Sequence, residues 1–133
     1  MAKHNKIGEI GEDLAEKYLK KKGYFILKRN YRTKYFEIDI ICTFYAPACL
    51  GFISGGHKSL VFVEVRTKTN EDFGRPEESI NKDKKKKLLK AAKLYVAFND
   101  FEGNYRVDVI CVVLNKEGNK LKRISHYENI DLI

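Results

Sequence analysis

The chain has 133 residues, a length typical of one domain with its own hydrophobic core, and we expect a single domain over residues 1–133. Its 26 lysine and arginine residues exceed its 18 acidic residues, and the formal net charge of +8 favours nucleic acid or an anionic surface as partner. No apolar run approaches the roughly 20 residues of a membrane-spanning helix, and the polar start MAKHNKIGEIGE lacks the apolar region of a signal peptide. We therefore expect a cytoplasmic protein without a membrane segment.

The first predicted element is a helix over residues 7–22, because apolar residues recur there at helical spacing. Gly23 stands where a glycine would end this helix. Glu12 falls at the edge of the apolar stripe, where a carboxylate either reaches across the neighbouring sheet surface or is simply solvated. The segment YFILKRN at 24–30 then predicts the first strand.

The next two predicted strands, at 36–45 and 60–68, each carry a carboxylate inside an apolar run, Asp39 and Glu64. Such a carboxylate is costly to desolvate unless it is paired, hydrogen-bonded or bound to a cation. Because side chains alternate along a strand, Glu64, Arg66 and Lys68 share one face. An acid beside two bases suits a site for a divalent metal and a phosphate. The alternative is that the acids merely pair with neighbouring bases.

The segment at 46–59, APACLGFISGGHKS, predicts a long loop, since it combines Pro47 with three glycines. A helix is predicted at about 79–99, with an apolar stripe in which Lys84 takes a position expected to be apolar. A lysine that faces inward either snorkels to solvent or meets an anion. Two further strands are predicted at 105–115 and 121–127, which gives the order α-β-β-β-α-β-β. The stripe consists of Ile80, Leu88, Ala91, Tyr95 and Phe98.

The cysteine and histidine patterns indicate neither a disulfide framework nor a zinc site. The cysteines are odd in number and form no CxxC pair, and the histidines are scattered without a partner at ligand spacing. We therefore expect reduced, buried thiols. The cysteines are Cys42, Cys49 and Cys111.

Several segments together resemble the YraN-like family, in the same order and over nearly the whole chain. That family is assigned to the restriction-endonuclease-like PD-(D/E)xK nuclease fold, and the layout also resembles the archaeal Holliday-junction resolvases. The resemblance implies an α/β fold with a mixed central sheet flanked by helices. The segments are IGEIGEDLAEKYLKKKGYFILKRNYR, FEIDII, LVFVEVRTK, FGRPEESI, KKKKLLKAAKLYV and YRVDVICVV.

The resemblance also implies site residues. The family's helix acid falls on Glu12, its strand acids fall on Asp39 and Glu64, and its downstream lysine falls on Lys84. Asp39 and Glu64, with Glu12, would hold Mg²⁺ or Mn²⁺ through oxygen ligands. The bases on the strand and helix would neutralise charge that develops at phosphorus. Glu37 and Glu78 also fall on family positions, with no role assigned.

The chain departs from the family pattern at three places. Arg66 replaces the lysine expected two residues after Glu64, Phe36 replaces a glycine, and the loop at 46–59 is longer than the usual turn. Arginine stabilises negative charge but does not release a proton near neutral pH, so it is a poor substitute for a lysine that activates water. Lys68 or Lys84 would then have to supply the ammonium group.

These observations lead to a metal-dependent endonuclease acting on DNA, with branched or damaged DNA as candidate substrates. A nucleic-acid-binding module with a degenerate, inactive nuclease site is the alternative. A third possibility is an accessory protein whose basic surface binds an acidic protein. A homodimer is a further possibility for the state of assembly.

Overall fold

The computed structural model describes residues 3–46, 57–72 and 74–132, which form one five-stranded sheet flanked by two α-helices. The predicted order α-β-β-β-α-β-β is confirmed. A short 3₁₀ helix, Pro76–Ser79, precedes the second α-helix, and another, Ile130–Leu132, follows the last strand. The principal elements are α1 (Lys3–Lys21), β1 (Phe25–Arg32), β2 (Glu37–Ala46), β3 (His57–Lys68), α2 (Lys82–Phe98), β4 (Tyr105–Leu114) and β5 (Leu121–Tyr127).

The strands lie in the sheet in chain order, β1-β2-β3-β4-β5. All neighbours are antiparallel except β3 and β4, which are parallel. A parallel pair needs a long crossover connection, and α2 provides it. The sheet is therefore mixed, and β3 lies at its centre.

A hydrophobic cluster lies on each face of the sheet. On one face α1 packs against alternate strand residues such as Val61 and Val63. On the other face α2 packs through Leu88, Ala91 and Tyr95 against residues such as Phe62. Because both faces are covered, the central strands read as nearly continuous apolar runs. A carboxylate on β3 therefore lies between the sheet and a helix.

The structure corrects two of the predicted strand and loop boundaries. Residues 57–59 and Ala46, predicted to be loop, belong to strands, because the β2–β3 ladder extends to the Tyr45↔Lys58 and Ala46↔His57 pairs. Backbone hydrogen bonds thus continue the hairpin past the end of the apolar pattern. Of the predicted 46–59 loop, residues 47–56 lie outside the described part of the chain.

The second helix also differs from its prediction. It begins at Lys82 rather than near residue 79, because Asn81 caps it by accepting a hydrogen bond from the Lys84 N–H at 2.9 Å. Ile80 precedes the helix but still packs against the core. Phe98, assigned to the apolar stripe, is 57% exposed, so that assignment was wrong.

Helix α1 ends as predicted and lies very close to the sheet. Gly23 has φ +92°, and the N–H of Tyr24 reaches back to the carbonyl of Leu19 at 3.0 Å, which completes a glycine-terminated cap. Near the middle of the helix, Gly11 faces Thr67 of β3. A β-carbon on Gly11 would stand only 2.8 Å from the β-carbon of Thr67. The close approach fixes the position of Glu12, the next residue.

Among the described cysteines, Cys42 and Cys111 are free and buried, as predicted, and burial raises the pKa of each thiol to about 12. Cys49 lies outside the described residues. In the described part of the chain, neither α-helix combines the length and apolar character required to cross a bilayer.

Candidate active site

The candidate site lies where β2 and β3 separate. Their ladder runs from Ala46↔His57 to Ile40↔Val63 and stops there, while β3 continues to Lys68 beside β4. Ile38 packs with the cluster on the α2 side, but Ile40 packs with the cluster on the α1 side. Residues two apart in a regular strand share a face, so the strand is irregular at Asp39, between them.

In the neighbouring strand β1, side chains change from one face of the sheet to the other beside Asp39. In β1, Asn30 adopts φ +51°, a left-handed conformation that asparagine tolerates better than most residues. Arg29 contacts α1, whereas the Tyr31 ring packs against Tyr95 of α2. The change of face in β1 accompanies the one in β2 and opens the gap in which Asp39 lies.

Asp39 and Glu64 meet in this gap. The Asp39 carboxylate accepts a hydrogen bond from the Val65 N–H at 2.9 Å, which satisfies a β3 donor beyond the end of the ladder. The Asp39 carboxyl also lies within hydrogen-bonding reach of Glu64, a contact that requires a proton on one of the two groups. Burial, the charge of Glu64 and this hydrogen bond raise the pKa of Asp39 far above its ordinary value, to about 8, although the Val65 N–H opposes the shift. Asp39 therefore keeps its proton to a higher pH than an exposed aspartic acid does.

Two bases contact the second carboxylate of the pair. Glu64 is only 8% exposed, and its Oε2 lies 3.0 Å from Nη2 of Arg66 and 3.1 Å from Nζ of Lys84. Arg66 follows two residues later on the same face of β3, as the alternation predicts. Lys84 comes from α2, which covers that face. Two carboxylates and two cations thus form one cluster, and the bases lie on the Glu64 side.

The position of Lys84 follows from the start of α2. It is the third residue of the helix, and its N–H is bound by the Asn81 cap. A cation in the first turn is disfavoured by the helix dipole, so Lys84 needs an anion nearby. Glu64 provides it. The inward direction predicted for this lysine is explained by that ion pair.

The structure separates the remaining site residues from this cluster. Lys68, on the same face of β3, extends towards Gly74, where its Nζ lies 3.6 Å from the place of a β-carbon. Glu12 raises the pKa of Asp39 by its charge, but its direct contact is Arg29 Nη2, at 3.4 Å. Of the two lysines considered for the ammonium role, only Lys84 contacts the carboxylate pair in the described part of the chain.

The donor set suits a magnesium ion that keeps most of its water. In the described residues, no group of three or more acidic, histidine or cysteine side chains has metal-binding geometry. Mg²⁺, however, is commonly held by one or two carboxylates with waters completing an octahedron. Asp39 and Glu64 supply two such ligands, and a bound cation would favour the ionised form of the buried Asp39. The residues present therefore fit the metal.

Comparison with known proteins decides the family. The model of the uncharacterised protein family UPF0102 matches residues 11–112. The chain belongs to the UPF0102 family. It is 38% identical to the UPF0102 protein TTE1452 of Caldanaerobacter subterraneus subsp. tengcongensis over 97% of this chain and 98% of that protein. It is 39% identical to the UPF0102 protein FP2501 of Flavobacterium psychrophilum, over 97% and 96% of the two chains.

A third relative, a UPF0102 protein of Alkaliphilus oremlandii, is 40% identical over 95% of this chain and 97% of its own length. The YraN-like resemblance is thereby confirmed as UPF0102 membership. The matched region contains Glu12, Asp39, Glu64 and Lys84. Two further acids were expected at family positions from the resemblance, and of these Glu37 pairs with Arg32 at 3.1 Å on the surface. The second, Glu78, lies beside Gly74.

One buried polar network of this UPF0102 protein was missed by the sequence reasoning. Asp108 of β4 is fully buried on the α1 side of the sheet and binds Arg106 at 3.0 Å and His126 at 2.8 Å. Burial raises the pKa of Asp108, but hydrogen bonds from His126, Arg106 and the Asn129 N–H outweigh it and lower the pKa. A carboxylate within the apolar run VDVICVV was the available signal. The network ties β4 to β5 and lies across the sheet from Glu64.

Proposed function

We propose that this UPF0102 protein is a metal-dependent endonuclease that hydrolyses phosphodiester bonds of DNA, with branched or damaged DNA as candidate substrates, and that it acts in the cytoplasm. The proposal rests on one observation above all. Asp39 and Glu64 meet in a buried gap, where burial and the charge of Glu64 raise the pKa of Asp39, and the two cations of the cluster contact Glu64 rather than Asp39. Buried acid pairs with perturbed pKa values cluster at functional sites.

The residues of the chain have distinct roles in this proposal. Asp39 and Glu64 would hold a hydrated Mg²⁺ or Mn²⁺, and Glu12 would support them through its charge. The bound ion would supply a water of lowered pKa and charge to polarise a phosphate oxygen. Lys84, 32% exposed, has an ammonium group that can also contact a phosphate oxygen and neutralise developing charge. Arg66 would hold Glu64 in position.

A binding module with an inactive site is the second candidate, and a specific observation favours it. Oε2 of Glu64 is already contacted by both Arg66 and Lys84, so the carboxylate is neutralised without a metal ion. Arg66 also stands where the family has a lysine, and arginine does not exchange a proton near neutral pH. Such a site would retain nucleic-acid binding through its basic surface without cleavage.

A cleavage assay separates the two candidates. Wild type, Glu64→Gln, Lys84→Ala and Lys68→Ala are incubated with duplex, single-stranded and four-way-junction DNA in Mg²⁺ or Mn²⁺. Lys93→Ala is the matched control, because Lys93 is an exposed lysine on the same helix. We expect Glu64→Gln to abolish cleavage, Lys84→Ala to reduce it about 100-fold or more, and Lys93→Ala to retain it. Lys68→Ala should retain most activity, since Lys68 does not contact Glu64.

The Arg66→Lys variant tests the departure from the family pattern. We expect it to preserve or raise metal-dependent cleavage, because it restores the lysine that the family resemblance places two residues after Glu64. Cleavage that survives undiminished in Glu64→Gln would come from a contaminating nuclease and would overturn the site. An inert wild type that gains cleavage in Arg66→Lys would establish the binding-module alternative for the natural protein.

A further inference from the structure

A groove continues from the candidate site along α2. It has a volume of about 750 Å³, within the range of pockets that hold small organic ligands, and it lies between the β1–β2 turn and one flank of α2. Lys84 lines it and also contacts Glu64, so the groove and the candidate site share one side chain. A ligand in the groove would therefore lie directly beside the carboxylate pair.

The groove combines exposed aromatic rings with lysines. Tyr35, at the β1–β2 turn, is 67% exposed, and Phe98, at the end of α2, is 57% exposed. The Phe36 ring also lines the groove, with its centroid 6.3 Å from that of Phe98. Lys87 and Lys90 line the same groove from α2. The contact of exposed ring surface with water is unfavourable, and a stacked ligand would remove that surface from water.

The turn that carries Tyr35 is well ordered by its own hydrogen bonds. The hydroxyl oxygen of Thr33 accepts from the N–H groups of Tyr35 and Phe36, each at 3.1 Å. The Thr33 N–H donates to the Phe36 carbonyl at 2.9 Å. These bonds hold the backbone beneath the exposed ring, so little ordering entropy remains to be lost when a ligand stacks on it.

We propose that this groove binds unpaired nucleotides of DNA, with bases stacked on Tyr35 and Phe98 and phosphates bound by Lys84, Lys87 and Lys90. Sites for single-stranded nucleic acid combine these two kinds of contact, aromatic platforms and a basic track. Inside a duplex the faces of the bases are already covered by their neighbours, so only an unpaired or displaced base can use the rings. The inference rests on the proposed function and specifies its substrate: DNA that is single-stranded or splayed next to the scissile phosphate.

The charge of the groove argues against a protein partner. Lysine is depleted from the buried centres of protein interfaces, whereas three lysines line this groove. Its one acid, Glu37, is paired with Arg32 at 3.1 Å. The lining is thus cationic and suits a polyanion.

The test measures binding without metal, so that it does not depend on cleavage. A short oligo(dT) that contains 2-aminopurine and a duplex of equal length are titrated in EDTA with wild type and variants, using anisotropy and 2-aminopurine quenching. Tyr35→Ala and Phe98→Ala should weaken oligo(dT) binding about fivefold or more and remove the quenching. Duplex affinity should change by less than about twofold, because phosphate contacts dominate it.

Matched controls come from the same chain. Phe25→Ala removes an aromatic ring that is also 67% exposed but lies outside the groove lining, and it should leave both affinities unchanged. Lys87→Ala should weaken oligo(dT) binding more than Lys93→Ala, because Lys93 does not line the groove. Thermal unfolding of each variant identifies any loss that comes from misfolding.

Each outcome bears on one proposal. If Tyr35→Ala and Phe98→Ala leave oligo(dT) binding and quenching intact, the groove is not a base platform, while Glu64-dependent cleavage would still support the nuclease. Equal losses of affinity for oligo(dT) and for the duplex would also overturn the stacking role of the two rings. If the stacking result is obtained but neither wild type nor any variant cleaves DNA, binding of unpaired bases in the groove is supported and the catalytic proposal fails.

Discussion

At the scale of single residues, the Asp39–Glu64 pair lowers the stability of the folded protein. A carboxylate buried beside another carboxylate is unfavourable when both are ionised, and one hydrogen bond from the Val65 N–H offsets only part of this cost. Lys84 and Arg66 compensate Glu64 rather than Asp39. Such local destabilisation is expected where a chain retains groups for binding rather than for folding.

Asp39→Asn should therefore stabilise the protein in a pH-dependent way. The Asp39 pKa is raised from 3.8 to about 8, so the folded state loses stability as pH rises between these values. Asparagine keeps the acceptor for the Val65 N–H but carries no charge. We expect a gain of about 1–3 kcal/mol in the free energy of unfolding near pH 8 and almost none near pH 4.

Urea unfolding of wild type and Asp39→Asn across this pH range measures the effect. Glu37→Gln is the control, because Glu37 is 63% exposed in its surface ion pair, and its change should stay within about 0.5 kcal/mol at every pH. A stability difference between Asp39→Asn and wild type that does not grow with pH would contradict the raised pKa.

At the scale of elements, the contact of α1 with β3 decides where Glu12 lies. Gly11 has no side chain, and Thr67 occupies the space where one would be. At Gly8, about one turn earlier on the same helix, a β-carbon would meet no heavy atom within 4 Å, so the space there is open. Glycine costs a helix about 1 kcal/mol relative to alanine at either position. Close packing explains Gly11 but not Gly8.

Alanine substitutions at the two glycines should consequently have opposite signs. Gly8→Ala should raise the free energy of unfolding by about 0.5–1 kcal/mol, because only the helix propensity changes. Gly11→Ala should lower it by about 1–3 kcal/mol, because α1 must move away from Thr67. Thermal or urea unfolding measures both. A stabilised Gly11→Ala protein would mean that α1 does not pack as closely on β3 as described.

At the scale of the whole molecule, the excess of bases predicts how DNA binding depends on salt. With a net charge of +8, we expect micromolar or tighter binding to DNA at low salt that weakens steeply as salt rises. Each neutralised phosphate contributes roughly 0.9 to the slope of log affinity against log salt. Lys87→Ala should reduce the magnitude of this slope by roughly 0.9, because one phosphate contact is lost.

Titrations of one duplex at a series of salt concentrations provide the measurement. Because backbone contacts carry little sequence information, a duplex of scrambled sequence should give the same slope. Affinity that stays constant from low to physiological salt would contradict a phosphate-tracking surface. It would favour instead the accessory role in which the basic surface binds an acidic protein.

The fold was largely predictable because hydrophobic periodicity is a local signal. Strand β5 has the predicted bounds, and Gly23 ends α1 as its sequence indicates. The start of β3 at His57 was missed, since a strand end held by backbone hydrogen bonds needs no apolar side chain. Phe98 was placed in the core because helical spacing cannot tell whether the sheet extends beneath the last turn.

The sequence by itself determined the element order, the basic character, the family pattern and the presence of carboxylates in buried strands. Each of these follows directly from residue type and spacing. Only the tertiary structure decided which charges meet. Lys84 rather than Lys68 contacts Glu64, because α2 crosses over β3 at that level, and Glu12 of α1 pairs with Arg29 of β1. These contacts join residues far apart in the chain, and their geometry depends on how the strands separate at Asp39, which no local pattern specifies.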